Sequence, residues 1–247
     1  MRTLLTAILL CCVSAVAFAA GGHGGPKLLN ANVDLGNTES LQRGAKLFIN
    51  YCVSCHSAQY MRYGRVAADL GIPEELMKSN LMFATDKIGD TMNIAMKPAD
   101  AESWFGVTPP DLSVVARSRG PDWLFSFLNG FYVDGQKPTG VNNLYFPSTA
   151  MPHVLWELQG VNRAVFETET QHGLEVPVFQ RFETERPGIM SDIEYKRATR
   201  DLVNFLVYVG EPAKLVRYEL GVKVLAFLLL LWIVAYALKR EYWKDVH

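Results

Sequence analysis

The chain has 247 residues, with 24 Lys and Arg against 25 Asp and Glu, a formal net charge of −1, and 49% apolar residues. That balance leaves no basic stripe interleaved with aromatics and argues against nucleic acid as a partner. The length holds one domain with a sizeable core and leaves room for hydrophobic segments at both ends.

Residues 1–19 read as a secretory signal. Arg2 precedes an apolar run from Leu4 to Phe18, too short to span a bilayer comfortably, and Ala17-Phe18-Ala19 is a small-x-small cleavage site. Cys11 and Cys12 lie inside that run and leave with it. The Gly-rich stretch 21–25 reads as a flexible mature N-terminus with a solvated His23. The domain proper is then 20–212, with no internal repeat.

The first helix is expected to start near Asn37 or Thr38, with Leu41, Ala45, Phe48, Ile49 and Cys52 on one face at helical spacing. It runs into Cys52-Val53-Ser54-Cys55-His56, the c-type haem attachment pattern. Each thiol can form a thioether to one haem vinyl group, the two-residue gap lets one turn reach both, and His56 then lies under the iron as proximal ligand. A thioredoxin-like pair would want a βαβ context and a zinc site a second ligand pair, and the pattern supplies neither.

Downstream, Met77, Met82, Met92 and Met96 fall in a helix-like segment where methionine is more often core filler. Short helices are expected over 110–119 and 121–129, the second closed by Gly130. The stretch 131–150, rich in Gly, Pro and Asn, reads as a loop that can carry Met151 over the distal face, with Pro152 fixing the backbone beside it. His153 is the rival distal ligand and would give a lower potential. Residues 163–183 alternate like strands and suggest a small hairpin around His172-Gly173, with Pro177 marking an edge strand. Ser191 and Glu194 form a capping box after Met190, and Ile193, Ala198, Leu202, Phe205, Leu206 and Val209 give the last soluble helix its stripe before Gly210 and Pro212. The segment 219–239 reads as a transmembrane anchor. Its apolar stretch from Leu220 to Leu238 spans about 28 Å at roughly 1.5 Å per residue if Lys223 snorkels, and a tail follows at 240–247. Basic residues flank it on both sides, so orientation follows from the leader: haem domain outside, tail in the cytoplasm.

These stretches together resemble the cytochrome c1 family, the haem c subunit of the quinol–cytochrome c reductase (bc1) complex, from about residue 28 to the end. The match runs through the haem motif with Tyr60–Tyr63, Pro109-Pro-Asp-Leu-Ser113 with Arg117 and Arg119, and Phe125-Ser126 with Gly130. It continues through Pro138-Thr-Gly140, Leu144-Tyr-Phe146, Ala150-Met-Pro152 and Gly210-Glu-Pro212. The resemblance implies a mainly α, cytochrome c-like haem domain with long insertions, a small β hairpin and one C-terminal transmembrane helix. It implies one covalent haem c held by Cys52 and Cys55, with axial ligands His56 and Met151, and Arg119, with Arg117 nearby, toward the haem propionates. It further implies a non-catalytic electron-transfer subunit in a bacterial inner membrane, haem side in the periplasm. Its partners would be a cytochrome b subunit, a Rieske iron–sulfur donor and a soluble c-type cytochrome acceptor. One departure stands out: the acid-rich segment common in mitochondrial members is missing, and Glu157, Glu167, Glu169, Glu175, Glu183 and Glu185 are spread among Arg163, Arg181 and Arg186. A free-standing anchored shuttle and a haem sensor or peroxidase-like enzyme with an open distal site remain the alternatives.

Overall fold

A computed structural model describes residues 26–171 and 174–245. The signal at 1–19, His23 and the His172-Gly173 turn lie outside the described residues.

Helix α1 (Thr38–Leu47) begins where Asn37 caps it, the Asn37 side chain accepting from the Ser40 N–H at 3.0 Å. The inward face continues through Phe48, Ile49 and Cys52, all buried, as the spacing predicts. The backbone does not stay α-helical: Phe48–Cys52 forms a π turn in which the Val53 N–H donates to the Phe48 carbonyl at 3.0 Å. A β strand, β1 (Ala58–Arg62), follows and pairs antiparallel with β2 (Thr91–Met92). Between them lie α2 (Tyr63–Asp69) and α3 (Glu74–Leu81), and α4 (Pro98–Phe105) comes after. Met77, Met82 and Met92 are buried core filler, although Met92 lies on β2 and not on a helix.

The helix expected over 110–119 shrinks to one turn, α5 (Val115–Ser118). Asp111 is the reason: its carboxylate accepts the N–H groups of Ser113 at 2.8 Å and Gln59 at 2.9 Å, an arrangement that competes with helix. Helix α6 (Pro121–Asn129) starts on Pro121 and ends at Gly130 as expected. The stretch 131–150 is more ordered than a loop, because β3 (Phe131–Val133) and β4 (Val141–Asn143) pair antiparallel with Phe131 opposite Asn143. Asn143 is fully buried and wires the turn, donating to the Phe127 carbonyl and accepting from the Tyr145 and Phe146 N–H groups. One turn, α7 (Trp156–Gln159), leads into β5 (Gly160–Gln171) against β6 (Leu174–Pro187), the expected hairpin extended by three residues before Arg163 and four after Glu183.

Helix α8 (Asp192–Gly210) carries the predicted capping box at Ser191 and Glu194. Ile193, expected in its apolar stripe, is instead 71% exposed. Nine residues before Leu202 places it about half a turn round the helix at 3.6 residues per turn, and Tyr195 and Thr199 take the inward positions. Helix α8 crosses α1, with the rings of Phe48 and Phe205 5.6 Å apart. Gly44 permits this close crossing, since a Cβ there would lie 2.7 Å from Phe205 Cβ. A polar clasp beside it joins the same helices: buried Asp201 accepts from Ser40 Oγ at 2.6 Å and Arg43 Nε at 2.6 Å, while Asn204 donates to Ser40 Oγ at 2.8 Å. The chain before α1 is strapped across α6 and α8 through Leu29 to Ser126, Ala31 to Asp122, and Asp34 to Asn204. The architecture is mainly α, with two-stranded antiparallel pairs among the described residues. Helix α9 (Lys214–Tyr242) then leaves the domain with no buried residue. It is long and apolar enough to cross a membrane, with mean hydropathy 2.3 over its most apolar window.

Candidate functional site

The attachment turn is set by backbone alone. The Cys52 carbonyl accepts the N–H groups of Cys55 at 3.0 Å and His56 at 2.8 Å, so two sulfurs and an imidazole issue from one turn. Both cysteines are free thiols, Cys52 buried and Cys55 half-buried. Burial, with a smaller contribution from Cys55, pushes the Cys52 thiol up to about 12.

His56 Nδ1 lies 2.8 Å from the Pro110 carbonyl oxygen. A carbonyl only accepts, so Nδ1 carries the proton and donates, and the lone pair is left on Nε2. Burial lowers the His56 pKa, against smaller raising contributions from Pro110 and Asp111, and favours the neutral imidazole a metal requires. The Pro110 segment that fixes this tautomer is itself fastened to the motif: Leu112 N–H donates to the Ser57 carbonyl at 2.8 Å and Tyr60 N–H to Ser113 Oγ at 3.1 Å. Two thiols within one turn and an imidazole oriented by a carbonyl behind it form a donor set that fits covalent haem.

Met151 is half-buried and packs against the core, and its N–H donates to Thr149 Oγ1 at 3.3 Å. His153, the rival ligand, lies inside the protein. It is buried, and its ring lies parallel to Phe131 with centroids 4.8 Å apart. Desolvation pushes its pKa down to about 4, with Gln159 opposing the shift weakly, so the imidazole is neutral. Met190 also packs partly buried against the core just before α8, and Met96 is half-buried.

The two arginines separate. Arg119 is exposed but its guanidinium lies over the Trp123 ring at 5.1 Å and the Phe146 ring at 5.8 Å, joining α6 to the segment that leads to Met151. Arg117 is exposed, and its aliphatic stem lies beside Gly210 at the end of α8. Sequence reasoning missed Pro110 as the group that orients His56. The available signal was Pro109-Pro110, which carries carbonyls and no N–H to compete for them.

Comparison with known proteins gives one family, described as the cytochrome C1 family, matching residues 32–164 and 184–246. The unmatched residues 165–183 are the outer part of the β5–β6 ribbon. Cytochrome c1 of Allochromatium vinosum is 49% identical over the full length of both chains. A Nitrosomonas europaea protein named ammonia monooxygenase gamma subunit is 45% identical over all of this chain and 99% of its own. A Bradyrhizobium diazoefficiens protein named cytochrome b/c1 is 26% identical, the alignment covering 84% of this chain and 33% of that protein.

Proposed function

This chain belongs to the cytochrome c1 family, whose members carry covalent haem c, and from that premise we propose a one-electron relay from a Rieske iron–sulfur protein to a soluble c-type cytochrome. Haem c, when bound, supplies a one-electron iron centre whose potential depends on its axial ligands. The protein's part would be to hold it, Cys52 and Cys55 through thioethers and His56 and Met151 as ligands to its iron. Arg119, with Arg117 nearby, serves the propionates. The observation that carries the reading is the His56–Pro110 contact, which presents Nε2 as an acceptor beside two free thiols. A sulfur ligand from Met151 would favour the ferrous state and so raise the potential.

Assembly with cytochrome b follows from the same reading and is supported by the Bradyrhizobium relative, whose name joins the two. Residues 1–19 act as the export signal, α9 anchors the chain through 219–239, the domain 20–212 stands in the periplasm, and 240–247 stays in the cytoplasm of a bacterial cell. The Nitrosomonas relative favours a second reading, in which the same haem domain serves an oxygenase. Purification from membranes through a tag on this subunit separates them. Cytochrome b and an iron–sulfur subunit with quinol–cytochrome c reductase activity support the relay, whereas copurifying oxygenase subunits support the second. Haem attachment is tested by the double change Cys52→Ala, Cys55→Ala, which abolishes haem staining of the denatured polypeptide; retained colour overturns it.

A further inference from the structure

Two residues beyond Met151, the domain buries an imidazole that the relay does not use. His153 is 8% exposed and its ring stacks on Phe131 at an interplanar angle of 7°. Phe131 cannot yield easily, because Phe127 abuts it edge-on at 5.1 Å and its backbone is paired with Asn143 in the β3–β4 hairpin. The backbone at 153 is held as well. Its carbonyl accepts the Trp156 N–H at 3.2 Å, and the preceding Pro152 carbonyl accepts the Val154 N–H at 2.9 Å. On the far side of the ring, His153 Nε2 and the side-chain oxygen of Gln159 are both buried without a hydrogen-bond partner. One can donate and the other can accept, and Gln159 is near enough to act on the imidazole. Each group left unpaired in the core is costly, and pairing with one another would satisfy both.

We propose that His153 is a positioning residue that locks the Met151 segment, through its stack on Phe131 and the pairing of Nε2 with Gln159. The proposal rests on the reading of Met151 as the distal ligand. Met151 and His153 are separated only by Pro152, whose ring fixes one torsion, so the pinned residue 153 limits how far the backbone at Met151 can shift. The same clamp has a second effect. It keeps an imidazole, which binds iron well, from exchanging with the nearby thioether, and so preserves the higher potential of methionine ligation.

The test uses the full-length protein in its membrane complex and compares His153→Ala, His153→Phe, Gln159→Leu and Met151→Leu with the parent. Covalent haem is scored on the denatured polypeptide. Distal ligation is scored by the ferric Met–iron absorption band and by the fraction of ferrous haem that binds carbon monoxide. The expected result is an unchanged covalent haem content, with the carbon monoxide-binding fraction raised about tenfold or more in His153→Ala as the competent open state gains population. His153→Phe keeps the stack and gives a smaller rise, and Gln159→Leu falls between. If His153→Ala fails to accumulate, Gln159→Leu decides alone. A parent-like band and carbon monoxide inertness in the histidine and glutamine variants, with Met151→Leu reactive, overturns the lock and leaves the ligand assignment intact. A parent-like Met151→Leu overturns the ligand assignment, and loss of the sixth ligand in His153→Ala beside a parent-like Met151→Leu makes His153 the ligand.

Discussion

Helices α8 and α9 follow one another with only residues 211–213 between them, and both are rich in apolar residues, yet they solve opposite problems. Helix α8 is amphipathic, and every residue from Asp201 to Val209 is buried against the domain. Helix α9 is ten residues longer, apolar on all sides, and buries nothing. At about 1.5 Å per residue it is long enough to exceed a hydrocarbon core of roughly 30 Å. Basic residues lie toward both of its ends, and Arg217 pairs with Glu211 at 2.7 Å at the junction. Apolar content therefore says little by itself. What distinguishes the helices is whether polar residues interrupt the pattern on one face, and Asp201, Asn204 and Thr199 show that even the buried face of α8 carries polar groups when each has a partner.

The comparison breaks most visibly if the chain is cut after Arg217. The expected product is a soluble haem-bearing domain, fractionating away from membranes in cells lacking the partner subunits; persistence in the membrane pellet would show that α8 or the domain surface also anchors it. Within α8, Phe205→Ala removes a fully buried ring that meets Phe48, at a cost of about 3–5 kcal/mol, read as a fall in the urea midpoint of the haem domain. Asp201→Ala strips the acceptor from Ser40 and Arg43. Because Arg43 is half-exposed and can turn to water, the expected loss is smaller, about 2 kcal/mol. Ser191→Ala deletes the cap of α8 and costs about 1 kcal/mol. Glu194, whose carboxyl is held below its ordinary 4.5 by the Ser191 backbone and then its hydroxyl, adds an acid limb. Its contribution is present above about pH 4.5 and fades as pH falls through the depressed folded value, so Glu194→Gln flattens that limb in acid unfolding. At the bottom of the scale, Leu229→Ala in α9 leaves the domain's urea midpoint within about 0.5 kcal/mol of the parent, since nothing in the domain touches it.

Much of this was legible in the residues because local signals and tertiary structure agreed. Asn37 as a cap, the face from Leu41 to Cys52, and the Ser191–Glu194 box all describe interactions within a few residues. Failures occurred where a distant partner decided. Asp111 spends its carboxylate on Gln59 and Ser113, which shortens α5, and no periodicity in 110–119 foretells that. The β5–β6 hairpin falls on the 163–183 stretch as expected, but its extension to Gly160 and Pro187 had no local sign, and Glu167, Thr168, Glu169 and Thr170 along it are all exposed. Strands exposed on both faces keep no clean alternation. At the site, Cys52, Cys55 and His56 announce themselves by spacing, whereas the Pro110 carbonyl behind His56 lies 54 residues away in sequence. Every residue carries such an acceptor, and the Pro109-Pro110 pair was its one local sign.

The clasp between α1 and α8 also dictates when the domain can be finished. Ser40 meets Asp201 across 161 residues of chain, and Asp34 meets Asn204 across 170. The side of α1 that carries Ser40 and Gly44 therefore lacks its cover from α8 until nearly the whole domain has been made, and loop closure over such a span is slow. That makes α8 the last piece on which the lasting order of α1, and of the attachment turn that continues it, depends.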